Sequence, residues 1–172
     1  MAGLRILGMT AAILFLITGC GPRPDPPRPA VVSHLDISQK KAFLDKTRST
    51  LKTFHDTARD LRHRGDNRSR SELAGGAERY IETQVEPIVN DFEADNNLQT
   101  RIEVAELQLL CGMLYFELEK YWQAHLLLRD MERRYRDRPE VLHAALDPNE
   151  FGFRDIDDGI RSLGQRLYRV EQ

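Results

Sequence analysis

Leu107-Gln108-Leu109-Leu110-Cys111-Gly112-Met113-Leu114-Tyr115-Phe116-Glu117-Leu118 is the stretch that decides the fold of this chain. Only Gln108, Gly112 and Glu117 interrupt its apolar character. A helix that is apolar almost all round is buried on more than one side. The stretch is too short an apolar run to cross a bilayer, which takes about 20 residues. We therefore predict a central helix over about residues 98–118, packed between neighbouring helices.

Helical spacing of apolar residues continues through residues 35–172, and no segment shows the alternation typical of a strand. Asp36 and Gln39 have capping-box spacing, and Gly65 can close the helix that they open. Pro87 predicts a kink or break in the next helix near Glu86. The predicted fold class is all-α, made of antiparallel helical hairpins, with further helices over about 37–64, 71–94, 121–136, 140–146 and 154–170.

The beginning of the chain has the features of a secretion signal. Arg5 gives it a positive charge, an apolar run extends from Ile6 to Ile17, and Thr18-Gly19-Cys20 follows. Ile17-Thr18-Gly19-Cys20 resembles the lipobox of bacterial lipoproteins, in which the cysteine is acylated and becomes the new N-terminus. An N-terminal core helix, or an ordinary signal peptide followed by an unrelated cysteine, is the alternative.

The lipobox resemblance implies a signal peptide over residues 1–19 and a lipid on Cys20, which anchors the protein to the membrane. It implies no cofactor apart from this covalent lipid. Gly21, in place of the Asp that commonly retains lipoproteins at the inner membrane, implies the periplasmic side of the outer membrane. Five of the eight prolines of the chain lie within residues 21–33, and proline at this density favours an extended spacer. Residues 20–34 are thus predicted to be a tether, although a proline-rich ligand for a partner is an alternative.

Removal of residues 1–19 would leave 153 residues, which suits a single domain with a modest core. The formal net charge of the whole chain is −2, and this near-balance argues against a nucleic-acid-binding protein, which is usually clearly basic. With Cys20 lipidated, Cys111 has no disulfide partner. Its apolar neighbours indicate a small buried side chain rather than a reactive thiol.

A second resemblance lies at about residues 103–139. Gly112, Tyr115, a tight Glu119-Lys120 turn, Tyr121, Ala124 and a later Pro139 are similar to the pattern of a tetratricopeptide repeat. Gln108, Met131 and the late proline depart from that pattern, and any antiparallel helix pair with a tight turn is the alternative. If the resemblance holds, Gly112 and Ala124 oppose each other at a close helix crossing.

The repeat resemblance also implies a concave groove on the first helix of the hairpin. Leu109, Met113 and Phe116 would face a protein partner there, and Glu106 and Glu117 would edge the groove. In the competing arrangement the same three apolar residues pack on the first two helices.

No enzyme chemistry is predicted. Two S-x-x-K matches, at residues 38–41 and 49–52, lack the companion motifs of an acyl-enzyme. The acidic residues before Gly159 do not have calcium-loop spacing, and the five histidines have no metal-ligand spacing. We therefore predict no catalytic residue, no metal site, no small-molecule substrate and no nucleic acid. The predicted function is a helical protein-interaction scaffold in envelope assembly or secretion, with a periplasmic or outer-membrane protein as partner. The alternative is a structural or inhibitory lipoprotein with a closed bundle.

Overall fold

A computed structural model describes residues 35–92, 94–170 and 172. Helices account for most of these residues, and the described part of the chain contains no strand, only an isolated bridge between Ala145 and Asp155. The all-α prediction is therefore confirmed. The predicted signal peptide, Cys20 and the tether over residues 20–34 lie outside the described residues.

The described chain forms eight α-helices and one π-helical turn. They are α1 (Ile37–Arg64), α2 (Asn67–Tyr80), the π turn (Ile81–Val85), α3 (Glu86–Phe92), α4 (Leu98–Glu117), α5 (Tyr121–Tyr135), α6 (Pro139–Leu142), α7 (Pro148–Phe151) and α8 (Ile156–Val170). No helix among these residues combines the length and the apolar character needed to span a membrane.

The ends of α1 lie where local capping chemistry predicts them. The Asp36 side chain accepts the backbone N–H of Gln39, whose own side chain accepts the N–H of Asp36. At the other end Gly65 has a left-handed conformation with φ of 70°, which glycine adopts without a steric penalty.

The second predicted helix begins four residues early and changes character in its middle. Asp66 caps α2 by accepting the Ser69 N–H at 3.0 Å. Before Pro87 the chain widens into the π turn, where the Glu86 N–H donates to the Ile81 carbonyl, five residues back. The predicted break near Glu86 is thus a π turn, which adjusts the helix where a proline supplies no N–H.

Helix α4 lies at the centre of the fold, as its composition predicts. It packs against α1, α3, α5 and α8, and Asn97 caps it by accepting the N–H groups of Gln99 and Thr100. Asn97 is thus the residue at which this helix begins. Ion pairs join α1 and α4 in ascending order along both helices: Lys41 with Glu103, Arg48 with Glu106, and Arg62 with Glu117. The two helices therefore run in the same direction.

Helix α8 also runs parallel to α4, on its other side. Gly159 lies against Leu109, and Gly112 lies against Leu163. A Cβ atom on Gly112 would lie 3.3 Å from Leu163 Cδ2 and 3.5 Å from Leu128 Cδ2. Ala124, which we predicted to oppose Gly112, is not among the three heavy atoms nearest to this position. The closest atoms belong to longer side chains that reach Gly112 from α8 and α5.

The turn between α4 and α5 has the tight geometry that the sequence predicts. Glu119 has a φ of 58°, and the N–H groups of Glu119 and Lys120 donate to the carbonyls of Phe116 and Tyr115. These two bonds form a Schellman motif, which satisfies the last carbonyls of α4. The Glu119 carboxylate accepts from Arg70 at 2.6 Å, which ties the turn to α2.

Candidate functional site

The residues predicted to face a partner lie mostly inside the fold. Leu109 is fully buried and contacts Gly159 of α8. Phe116 is buried under the Arg62 guanidinium and the Tyr121 ring, with ring centroids 5.7 Å apart for the aromatic pair. Met113 is partly buried against the core. The prediction that this face of α4 lines an open groove is wrong, because α8 and the end of α1 cover it.

The two glutamates predicted to edge that groove hold helices together. Glu106 accepts from Arg48, which also lies 3.6 Å from Glu150. Glu117 accepts from Arg62 at 3.2 Å. Burial raises the pKa of the Glu106 carboxyl, and the Arg48 charge offsets part of that effect. Both carboxylates are engaged within the chain and are not free to select a partner.

The pairing of Glu150 with Arg48 takes the place of a local contact that the sequence spacing allows. Asp147 and Glu150 have capping-box spacing, but only half of the box forms: Asp147 accepts the Asn149 N–H at 2.9 Å. The Glu150 carboxylate reaches α1 instead, beside Phe151, whose ring centroid lies 5.5 Å from the Arg48 guanidinium. A tertiary ion pair has thus displaced a local hydrogen bond.

A groove does lie over α4, but over a different face, whose residues Gln108, Cys111 and Tyr115 are themselves buried. Its floor is formed by α4, one wall by the π turn and α3, and the other wall by α5. It encloses about 380 Å³ and is lined by Ile81, Val85, Glu86, Val89, Asn90, Gln108, Cys111, Tyr115, Gln123, Leu126, Leu127, Asp130 and Arg134. We call this feature the α4 groove.

The floor of the α4 groove contains a buried hydrogen bond and a thiol of low reactivity. The Tyr135 hydroxyl donates to the Gln108 side-chain oxygen at 2.6 Å, and burial raises the pKa of Tyr135 to about 12. Burial also raises the pKa of the Cys111 thiol well above its usual range. A thiol in that state is a poor nucleophile, because the reactive form is the thiolate.

The walls of the groove are apolar near the floor and polar at the rim. Val85 and Val89 are buried, whereas Leu126 on the opposite rim is 47% exposed. Glu86 lies on the π-turn side, and partial desolvation together with the charge of Glu82 raises the pKa of its carboxyl. This arrangement can receive apolar side chains and offers an acidic rim on one side.

A separate cluster of possible metal ligands has a structural explanation. One atom each from His143, Asp155 and Asp157 lies within 4.8 Å of the others. However, the Asp155 carboxylate accepts the Asp158 N–H at 2.7 Å and the Arg154 side chain at 3.0 Å. Asp157 pairs with Arg161 one turn further along α8. The acidic residues thus cap α8 and neutralise its neighbouring arginines.

The sequence predicts the central helix that carries the α4 groove, but its composition does not show on which face the groove lies. Nothing in the sequence around Gln108 and Cys111 indicates that these residues line a groove. Pro87 predicts an irregular helix but does not specify the π turn that forms one wall. No protein-family model, curated protein sequence or solved structure matches this chain.

Proposed function

We propose that this chain is a lipid-anchored scaffold of the bacterial envelope, held on the periplasmic side of the outer membrane by Cys20, that binds a helix of a protein partner in the α4 groove. The groove is the observation that carries the binding half of this proposal. The anchoring half rests on the sequence Ile17-Thr18-Gly19-Cys20.

The arrangement of the helices supports a repeat-like scaffold. Helices α1, α4 and α8 run in one direction, and the chain returns between them through α2–α3 and through α5. Stacked helical hairpins of this kind resemble tetratricopeptide repeats, which use their grooves to bind peptides. The Gly112 and Tyr115 pattern belongs to the central hairpin of this stack.

The chemistry of the groove supports a helical segment as the ligand. An amphipathic helix binds by placing a stripe of apolar side chains into a hydrophobic groove. The wall residues Val85, Val89, Leu126 and Leu127 provide apolar surface for such a stripe. Glu86 would favour a lysine or arginine on the same side of the bound helix.

A closed bundle with a structural or inhibitory role remains the second candidate, because Leu109 and Phe116 are buried where a groove was predicted. In that case no segment occupies the α4 groove. The two candidates differ in what lies against its walls in the cell.

Photo-crosslinking in the native cell separates the two candidates. A photoreactive amino acid is placed at Asn90 on one wall and, in a second variant, at Gln123 on the other; matched control positions are the exposed Lys46 and Lys52 of α1. The scaffold predicts one crosslinked species of the same mass from both walls and none from α1. Equal labelling from walls and controls, or no discrete species from the walls, would support the closed bundle.

The anchor is tested on the two cysteines of the chain. Cys20→Ser is expected to abolish incorporation of labelled palmitate and to release the protein from membranes washed at high salt, which screens any binding through surface charges. Cys111→Ser is the matched control, since it removes the other thiol and should leave both readouts unchanged. Persistent labelling of the Cys20→Ser variant would disprove the anchor.

A further inference from the structure

The outward face of α5 combines aromatic, aliphatic and basic side chains in one line. Trp122, Leu126, Arg129, Arg133 and Arg136 are spaced by fours and threes. At 3.6 residues per turn all five lie within about 40° of a single direction. Trp122 is 66% exposed, Leu126 is 47% exposed, and the three arginines are exposed. We call this feature the α5 stripe.

The stripe contains no acidic residue. The carboxylates of Asp130 and Glu132 on α5 point about 80° to either side of the stripe. Beyond the last residue of α5, Arg136 is the C-cap and the exposed Asp137 follows it. Asp130 is held by Arg133 at 2.6 Å and by Arg134 at 2.9 Å. Among the described residues, no carboxylate pairs with Arg129 or Arg136.

The arginines of α1 and α2 that lie beside α4 are paired differently. Arg48, Arg62 and Arg70 each pair with a glutamate of α4 or of the turn that follows it. Arg129 and Arg136 instead leave their charges in solvent, on the same face as an exposed indole. Although the net charge of the chain is −2, this face is locally cationic.

These groups fit the boundary between an anionic bilayer and water. Tryptophan is enriched at the headgroup level of membranes, where its ring is apolar and its N–H can bind water or lipid. Guanidinium groups bind phosphate oxygens through two parallel hydrogen bonds. An aliphatic residue beside the indole adds apolar surface that can enter the headgroup region.

We propose that the α5 stripe docks the helical domain on an anionic phospholipid surface. Trp122 and Leu126 enter the headgroup region, and the three arginines bind lipid phosphates. The inference rests on the proposed function only in that the lipid on Cys20 brings the domain to a bilayer. The 15 residues from 20 to 34 can span at most about 50 Å, which leaves α5 within reach of the membrane.

Docking would also orient the proposed binding site. Leu126 belongs both to the stripe and to the rim of the α4 groove. With the stripe on the bilayer, the groove opens beside the membrane surface rather than away from it. A partner helix would then be received close to the lipid headgroups.

Trp122 is the only tryptophan in the chain, and its fluorescence therefore reports docking directly. The full-length protein, produced in a bacterium that can process and lipidate it at Cys20, is reconstituted in vesicles of phosphatidylcholine alone and in a two-to-one mixture of phosphatidylcholine and phosphatidylglycerol. On the mixed vesicles we expect emission at shorter wavelength, protection from acrylamide and quenching by brominated lipid. On neutral vesicles Trp122 should stay exposed although the protein is anchored. High salt should reverse the docking but not the anchoring, because it screens surface charges.

Two charge-matched triple variants locate the effect. The stripe variant carries Arg129→Gln, Arg133→Gln and Arg136→Gln, and the control carries Lys46→Gln, Lys52→Gln and Arg59→Gln on exposed positions of α1. Each basic residue near an anionic surface strengthens binding about fivefold, so the stripe variant should dock about 100-fold more weakly. The control should lose much less, since its charges lie on another helix.

The outcomes separate this proposal from the anchor. Equal exposure of Trp122 on both vesicles, with the protein anchored to both, would overturn the stripe and favour an acidic protein surface as its ligand. Equal losses in the two triple variants would overturn it as well. Flotation with the anionic vesicles alone would refute the anchor but support the stripe, whereas flotation with neither would refute both.

Discussion

Gly159 is the position where α8 comes closest to α4, and replacing it with alanine tests the packing of the whole core. A Cβ atom there would lie 2.6 Å from Leu109 Cδ2 and 3.1 Å from Phe153 Cδ2. Leu109 is fully buried, so its side chain has no solvent to move into. The same helix contains a matched control, because a Cβ atom on Gly164 would meet no heavy atom within 4 Å.

Two opposing effects set the size of the change. Alanine stabilises a helix interior by about 0.5–1 kcal/mol relative to glycine, whereas an extra methyl group in a tightly packed core costs about 1–3 kcal/mol. Gly159→Ala is therefore expected to lower the free energy of unfolding by up to about 2.5 kcal/mol. Gly164→Ala is expected to raise it by about 0.5–1 kcal/mol.

Urea denaturation of residues 35–172, with equal m-values for the variants, measures both changes. Leu109→Ala provides a further check, because it removes the closest atom that the new methyl group would meet and leaves Phe153 Cδ2 at 3.1 Å. In that background Gly159→Ala should cost less or should stabilise, which gives a coupling energy between the two sites. If Gly159→Ala alone stabilised the protein as much as Gly164→Ala, the close packing of α8 on α4 would be refuted.

Three further substitutions test other contacts. Gly112→Leu should destabilise by about 1–3 kcal/mol through overpacking against Leu163, and a higher urea midpoint for this variant would contradict the described crossing. Tyr135→Phe should cost about 1–3 kcal/mol because Gln108 then keeps a buried oxygen without a donor; an unchanged midpoint would show that water replaces the hydroxyl. Burial opposes ionisation of the Asp155 carboxyl, but its hydrogen bonds and the Arg154 charge outweigh burial and hold its pKa below the ordinary 3.8. The stability that ionised Asp155 contributes is therefore fully present above pH 3.8 and is lost as the pH falls through the pKa of the folded protein. Asp155→Asn should therefore reduce the loss of stability below about pH 5 while keeping a helix cap. The same dependence of the free energy of unfolding on pH in the variant and the unchanged protein would contradict this role of Asp155.

The sequence by itself predicted those features that depend on neighbouring residues. Asp36, Gln39 and Gly65 mark the ends of α1 because capping hydrogen bonds and the left-handed glycine act within a few residues. Pro87 marks the irregular turn because it removes a backbone donor wherever the helix lies. The apolar composition of residues 107–118 predicts a central helix, since such a helix cannot be stable with any large face in water.

What the sequence could not decide is which side of that central helix lies beneath a groove. Leu109 is more apolar than Gln108, yet Leu109 is closed off by Gly159 while Gln108 lies on the floor of the α4 groove. Likewise Glu150 has the spacing for a local cap but pairs with Arg48 of α1. A helix that is apolar on every side carries no preference in its own residues for one neighbour over another. The tertiary structure makes that choice, because the fit of α1, α5 and α8 against α4 determines which faces are covered and leaves the remaining face as the groove.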